Sequence, residues 1–101
     1  MPVAYLVVEM KITGPEQYKR YMAEAPAAVK AAGGEYLVRG GRHEVLEGDW
    51  NPARVALLRF PSYEQAKAFY DGQMYGAARR HREGTTEYFN MVLVEGVDQP
   101  V

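Results

Sequence analysis

Two arginine-centred groups and a pair of tyrosines carry most of the chemistry this chain offers. Arg39-Gly40-Gly41 sets a guanidinium beside backbone that lacks a Cβ, where a small anion can approach closely. The plainer reading pairs Arg39 with Glu44 or Glu47 across a bend that the glycines only shape. Tyr70 and Tyr75 flank a helix break at Asp71-Gly72. Phenols there can line a cavity between helices and sheet, bind an aromatic compound or donate a proton. Eight tyrosines in 101 residues also make some purely structural buried hydroxyls unavoidable. Arg79 and Arg82 share a helical face with Tyr75, and an inward arginine needs a partner. A carboxylate such as Glu95 or Glu9 is one answer, and a bound anion is the other. Trp50 lies in the turn Gly48-Asp49-Trp50-Asn51-Pro52 and suits a pocket lid, an interface anchor or a packing residue at a subunit edge.

The two imidazoles, His43 and His81, stand apart from any ligand-like spacing, and the run Arg79-Arg80-His81-Arg82 opposes a cation. Both read as solvated side chains, and no metal or cofactor is expected. Ser62 has no neighbouring His or Asp to activate it, and a capping role accounts for it. The absence of cysteine excludes disulfides, thiolate zinc sites, iron–sulfur clusters and cysteine nucleophiles. Twelve Lys and Arg against thirteen Asp and Glu give a net charge of −1, which argues against a general nucleic-acid binder. No apolar run approaches the ~20 residues that span a bilayer. Met1-Pro2-Val3-Ala4-Tyr5 shows no secretory signal, so a cytoplasmic location and no membrane partner are expected.

The elements that must hold these side chains follow from periodicity. Val3 to Ile12 reads as a strand. Pro15 suits the first position of a helix whose apolar residues fall at Tyr18, Tyr21, Met22, Ala25, Val29 and Ala32. Pro26 inside that pattern predicts a kink or short break, and Gly33-Gly34 ends the helix. Glu35 to Glu47 reads as one long strand bent or bulged at Gly40-Gly41. Arg54 to Phe60 is the third strand. Ser62 with Gln65 forms a capping-box pattern for a helix carrying Ala66, Phe69 and Tyr70. A second helical piece carries Tyr75, Ala78, Arg79 and Arg82, and Tyr88 to Glu95 is the last strand. The order β-α-β-β-α-β is the ferredoxin-like α+β arrangement, a four-stranded antiparallel sheet with both helices on one face. One domain over residues 1–96 and a C-terminal tail over 97–101 are expected.

Strands covered by helices on one face should alternate apolar and polar residues. Here Leu6, Val8, Met10 and Ile12 form one face, yet Tyr5 and Val7 lie on the other. Phe89, Met91 and Leu93 are opposed by Val92 and Val94, and Leu57 is opposed by Leu58. A second apolar face predicts a homodimer joined through the sheets by a two-fold axis.

The pieces Val38-Arg39-Gly40-Gly41, Val45-Leu46-Glu47-Gly48-Asp49-Trp50, Pro52, Arg54, Phe60-Pro61-Ser62, Ala66, Tyr70, Tyr75, Arg82 and Leu93-Val94-Glu95-Gly96 stand in a telling order. In these, from Ala4 to Gly96, the chain resembles the domain of unknown function 1330 family of the dimeric α+β barrel superfamily. The resemblance implies a ferredoxin-like fold and a dimer whose sheets form a barrel, and it carries no established reaction. Relatives in the superfamily include cofactor-free monooxygenases, muconolactone isomerases and haem-binding proteins, a likeness of fold only. Phe69, Gly72-Gln73-Met74 and His43 depart from the family pattern, so no shared aromatic cage at position 69 and no role for His43 carry over.

Two functions follow as expectations. One is a homodimeric module binding a small aromatic or anionic organic molecule between sheet and helices, with Tyr5, Arg39, Trp50, Tyr70, Tyr75 and Arg82 lining the pocket. The other is a cofactor-free monooxygenase- or isomerase-like enzyme for an aromatic or lactone-type metabolite, with Tyr or His as base and Arg39 or Arg82 steadying an oxyanion. The enzyme needs a titratable group of perturbed pKa inside the pocket.

Overall fold

The computed structural model describes residues 2–98. The elements are β1 (Ala4–Ile12), α1 (Pro15–Ala31), β2 (Glu35–Arg39), β3 (Arg54–Phe60), α2 (Tyr63–Asp71), α3 (Gln73–Arg80) and β4 (Thr86–Glu95). The sheet order is β2-β3-β1-β4 with every neighbouring pair antiparallel. This is the ferredoxin-like arrangement, with the second helical unit divided at Gly72 into α2 and α3. Of the tail expected over 97–101, Val97 and Asp98 follow β4 without regular structure, and residues 99–101 lie outside the described residues. Among the described residues no helix is long and apolar enough to cross a membrane.

Strand parity sorts the core. Ala4, Leu6, Val8 and Met10 of β1 and Ala56, Leu58 and Phe60 of β3 are buried against the helices. Tyr18, Tyr21, Ala25, Ala28 and Val29 bring the inward face of α1 onto them. Ala66, Phe69, Tyr75 and Ala78 do the same for α2 and α3. Ser62 caps α2, its Oγ accepting the Gln65 amide at 3.1 Å. The reciprocal half of the capping box is replaced by a 3.3 Å hydrogen bond from the Ser62 hydroxyl to Gln65 Oε1.

β2 is shorter than the strand expected over Glu35 to Glu47. Its extra residue lies between Tyr36 and Val38, not at the glycines. It ends at Arg39 because Gly40 takes a φ of +77° while its amide donates to Val55 O at 2.8 Å. A Cβ at Gly40 would also collide with the Arg54 guanidinium. From Gly41 to Asn51 the chain is exposed and unpaired with the sheet. Side chains tie this loop down: His43 Nε2 meets Pro52 O at 2.8 Å, Trp50 Nε1 donates to Glu9 Oε2 at 2.8 Å, and the Ala53 amide donates to Tyr88 OH at 2.9 Å.

α1 runs from Pro15 to Ala31 through Pro26, so the expected break is absent. Proline at 26 lacks the N–H that would bond Met22 O four residues earlier. Arg39 supplies the missing donor: its Nη2 reaches Met22 O at 2.9 Å while the guanidinium lies 4.6 Å from the centre of the Tyr36 ring. Neither Glu44 nor Glu47 is its partner. Arg39→Met should therefore cost about 1 kcal/mol of stability in the wild type. In a Pro26→Ala background the helix regains a backbone N–H that can bond Met22 O itself, and the same substitution should cost much less. Urea midpoints of the four proteins check this; equal losses in both backgrounds would refute the pairing of Arg39 with Pro26.

Candidate functional site

Between α1 and the sheet lies a small, partly enclosed cavity of about 40 Å³, room for roughly two or three waters. Its polar lining is Tyr18, Tyr21, Tyr36, Tyr75, Arg39 and Arg54. The helical stripe of α1 delivers the first two, the bulge between Tyr36 and Val38 turns both Tyr36 and Arg39 of β2 inward, the inward parity of β3 delivers Arg54, and the first turn of α3 delivers Tyr75. Tyr75 is 1 % exposed, and its hydroxyl meets that of Tyr21 at 2.7 Å. Aromatic rings surround this pair: Phe69 stands 4.5 Å from Tyr75, and Phe89 meets Tyr21 edge-on at 6.2 Å.

Burial pushes the phenols of Tyr18, Tyr21 and Tyr36 above their ordinary value of 10.0. At Tyr21 the neighbouring Tyr75 adds to the rise. At Tyr18 the charges of Arg54 and Arg82 oppose it, and at Tyr36 that of Arg39 does. These three groups are proton donors at neutral pH, and no carboxylate or imidazole lines the cavity.

A second, open hollow of about 650 Å³ lies between α2, α3 and the edge strand β4. Leu6, Phe89, Met91 and Leu93 form its floor, and Lys67, Tyr70, Arg79 and Arg82 its walls. Phe89 and Met91 border both hollows. Arg82 stands where they adjoin: its guanidinium lies 3.7 Å from the Phe89 ring centre and 5.4 Å from that of Tyr21. Arg82 Nε is buried without a hydrogen-bond acceptor among the described residues. Arg79 stacks on Tyr70 at 4.7 Å. Among the described residues neither arginine forms an ion pair. The expected partner Glu9 lies on the other face of the sheet, where Trp50 and Asn90 hold it. Lys67 is held by Asp71 at 2.6 Å, and His81, read as solvated, is bonded to Glu24 on α1 at 2.9 Å.

The six residues expected to line one pocket are thus divided. Arg39 and Tyr75 border the small cavity, and Tyr70 and Arg82 the open hollow. Tyr5 and Trp50 are corrected to the far face of the sheet. Tyr5 sits between the inward residues Ala4 and Leu6, so its side chain must point away from the helices. Trp50 reaches that same far face to bond Glu9. Sequence reasoning did not select Tyr18, Tyr21, Tyr36 or Arg54 for the site. The inward helical stripe and strand parity were the signals that mark them.

Solved structures share this architecture. A protein of unknown function from Rhodopseudomonas palustris superposes with a TM-score of 0.77 at 16% identity, covering 97% of this chain and 85% of that one. A candidate antibiotic biosynthesis monooxygenase from Caulobacter crescentus gives 0.66 at 17% identity, with 96% and 92% covered. A dimeric ferredoxin-like protein of unknown function from a Jannaschia species gives 0.63 at 17% identity, with 93% and 99% covered. At these identities the likeness is one of fold. No curated protein matches the chain. The family model described as domain of unknown function (DUF1330) matches residues 3–97, nearly the whole sequence, and the chain belongs to that family.

Proposed function

We propose that this protein is a homodimeric binding module that takes a small aromatic or anionic organic molecule on the helix side of its sheet. The observation that carries the reading is the pair of adjoining hollows sharing Phe89 and Met91, one small and ringed by phenols, the other open and walled by arginines. The open hollow falls within the size range of small-molecule sites, and apolar floors with a few converging polar groups are typical of them. The lining speaks for binding over proton abstraction. A cofactor-free enzyme of the isomerase or monooxygenase kind needs a base beside its substrate. Here burial keeps the phenols of Tyr18, Tyr21 and Tyr36 protonated, and both hollows are lined without Asp, Glu or His.

Self-association is supported by the far face of the sheet, where Val7, Val55, Leu57, Val92 and Val94 stand together with Val92 57 % exposed. Structural neighbours that are dimeric ferredoxin-like proteins add to that support.

The test is a thermal-shift screen over small aromatic acids, quinols and lactones. A compound present at a hundred times its dissociation constant adds about 2.7 kcal/mol to the native state, a rise of roughly 10–20 °C for a chain of this length. A screen without any rise refutes the binding reading. Turnover of a compound that shifts the melting point would favour the enzyme instead.

A further inference from the structure

Two of the three cations around the open hollow form no ion pair among the described residues. Arg79 and Arg82 lie three residues apart at the end of α3 and face the same space. Two nearby carboxylates are taken, Asp71 by Lys67 at 2.6 Å and Glu24 by His81 at 2.9 Å. Both guanidiniums rest instead on aromatic faces, Arg79 on Tyr70 and Arg82 on Phe89. That contact offsets part of the cost of removing a cation from water, but it satisfies none of the N–H donors. Arg82 Nε remains buried with no acceptor among the described residues, a loss of the kind that folded chains rarely leave uncompensated.

From this arrangement we infer that the ligand is an organic acid whose apolar body rests on this floor and whose carboxylate meets the arginines, and that Arg82, with Arg79, sets the specificity for its anionic head. The inference rests on the binding reading given above. A guanidinium offers a planar fork of donors that a carboxylate meets with two parallel hydrogen bonds. The carboxylate supplies the negative charge that lets two like-charged side chains share one wall. The floor of Leu6, Phe89, Met91 and Leu93 offers apolar surface to the rest of the molecule. A compact inorganic anion would meet the charge and leave the floor bare to water.

Calorimetric titration of the full-length protein with 2-naphthoate, its neutral amide 2-naphthamide and inorganic phosphate separates these terms. The naphthoate should bind at least tenfold more tightly than either of the others. Arg82→Met should weaken naphthoate about 10- to 100-fold and leave naphthamide unchanged, since a charge-assisted pair of hydrogen bonds is lost while the floor remains. Arg79→Met should weaken it in the same sense and serves if Arg82→Met fails to fold. Arg20→Met, at an exposed position of α1 that borders neither hollow, should leave the affinity as it is. Equal binding of acid and amide, binding of phosphate as tight as naphthoate, or an affinity indifferent to both Arg82→Met and Arg79→Met would overturn the inference. A neutral compound that raises the melting point where naphthoate does not bind would overturn it while leaving the binding function standing. Silence from every compound would remove both.

Discussion

Tyr75→Ala should lower the stability of the fold by about 3–5 kcal/mol, the range for emptying a large aromatic site in a packed core. In a chain of about a hundred residues that is a fall in melting temperature of roughly 15–30 °C. Tyr75 is the point where the helices and the site meet. It is 1 % exposed, and its ring packs against Phe69 at 4.5 Å, Tyr70 at 5.7 Å and Tyr21 at 6.1 Å. The ring thereby ties the α2–α3 layer to α1 through the phenol pair. Tyr75→Phe keeps those ring contacts and removes only the hydroxyl bonded to Tyr21 at 2.7 Å. It should cost about 1 kcal/mol, near the lower end for a buried partner left alone, because the adjoining cavity can admit a water to the Tyr21 hydroxyl. Tyr21→Phe should cost a similar amount. The double substitution should then cost less than the sum of the two, with a coupling of about 1 kcal/mol, since each single change strands the same bond. Guanidinium unfolding of the four proteins measures this directly, and additivity within about 0.3 kcal/mol would show that the two hydroxyls do not depend on each other.

The same phenols give the fold a one-sided response to alkali. Tyr18, Tyr21 and Tyr36 ionise near 10.0 when unfolded and higher when folded, because burial disfavours the phenolate. A raised native pKa means that the native state holds its proton longer. Their contribution is therefore complete below about pH 10 and declines above it, by up to about 1.4 kcal/mol per pH unit for each phenol that ionises only in the unfolded chain.

The topology was legible because the two hydrophobic periods agree with the turn chemistry along most of the chain. Leu6-Val7-Val8 and Leu57-Leu58 betray strands with two apolar faces, and Tyr18, Tyr21, Ala25 and Val29 betray a helix with one. Position in space was harder to read than position in sequence. Alternation alone sends Tyr5 to the far face, because Ala4 and Leu6 face the helices, yet its aromatic ring drew it into the expected pocket. Trp50 followed for the same reason, although a loop that leaves the sheet at Gly40 can return on either side. Arg39 illustrates a different limit. Its partner is a backbone carbonyl on α1 left without a donor by Pro26; the proline announces the missing N–H, but nothing in the order of residues says that Arg39 replaces it. That Arg79 and Arg82 form no ion pair among the described residues was equally invisible, since nothing in the order of residues says that Glu9 is held by Trp50 and Asn90. What a sequence conceals here is the assignment of acceptors to donors, which three-dimensional proximity alone decides.

Val92→Arg should convert the protein from a species of twice 11.4 kDa to one of 11.4 kDa in light scattering at micromolar concentration. The argument begins with what the isolated chain would expose. Val92 is 57 % and Val94 45 % exposed, and Val7 and Leu57 of the neighbouring strands flank them on a face that no helix covers. Because Val92 is so open in a single copy, an arginine there should change the stability of the monomer by no more than about 0.5 kcal/mol. In a sheet-to-sheet dimer the position is desolvated, and a two-fold axis introduces the charge on both sides at once. The cost of burying such charges unpaired is on the order of 3–5 kcal/mol, equivalent to a dissociation constant raised about 100- to 1000-fold or more. Trp50 is the chain's single tryptophan and borders the same hollow as Val7, Val92 and Val94, so its emission reports the event without a label. Dilution of the wild type, and Val92→Arg at any concentration, should shift that emission to the red as the indole meets water. A wild-type mass of 11.4 kDa, or an unaltered dimer in Val92→Arg, would refute association through this face. Leaving the helix-side residues Tyr70, Arg79 and Arg82 untouched, the substitution also asks whether one copy suffices to bind. The hollow they line is built from a single chain, so the monomeric variant should retain its ligand with an affinity within about threefold of the wild type.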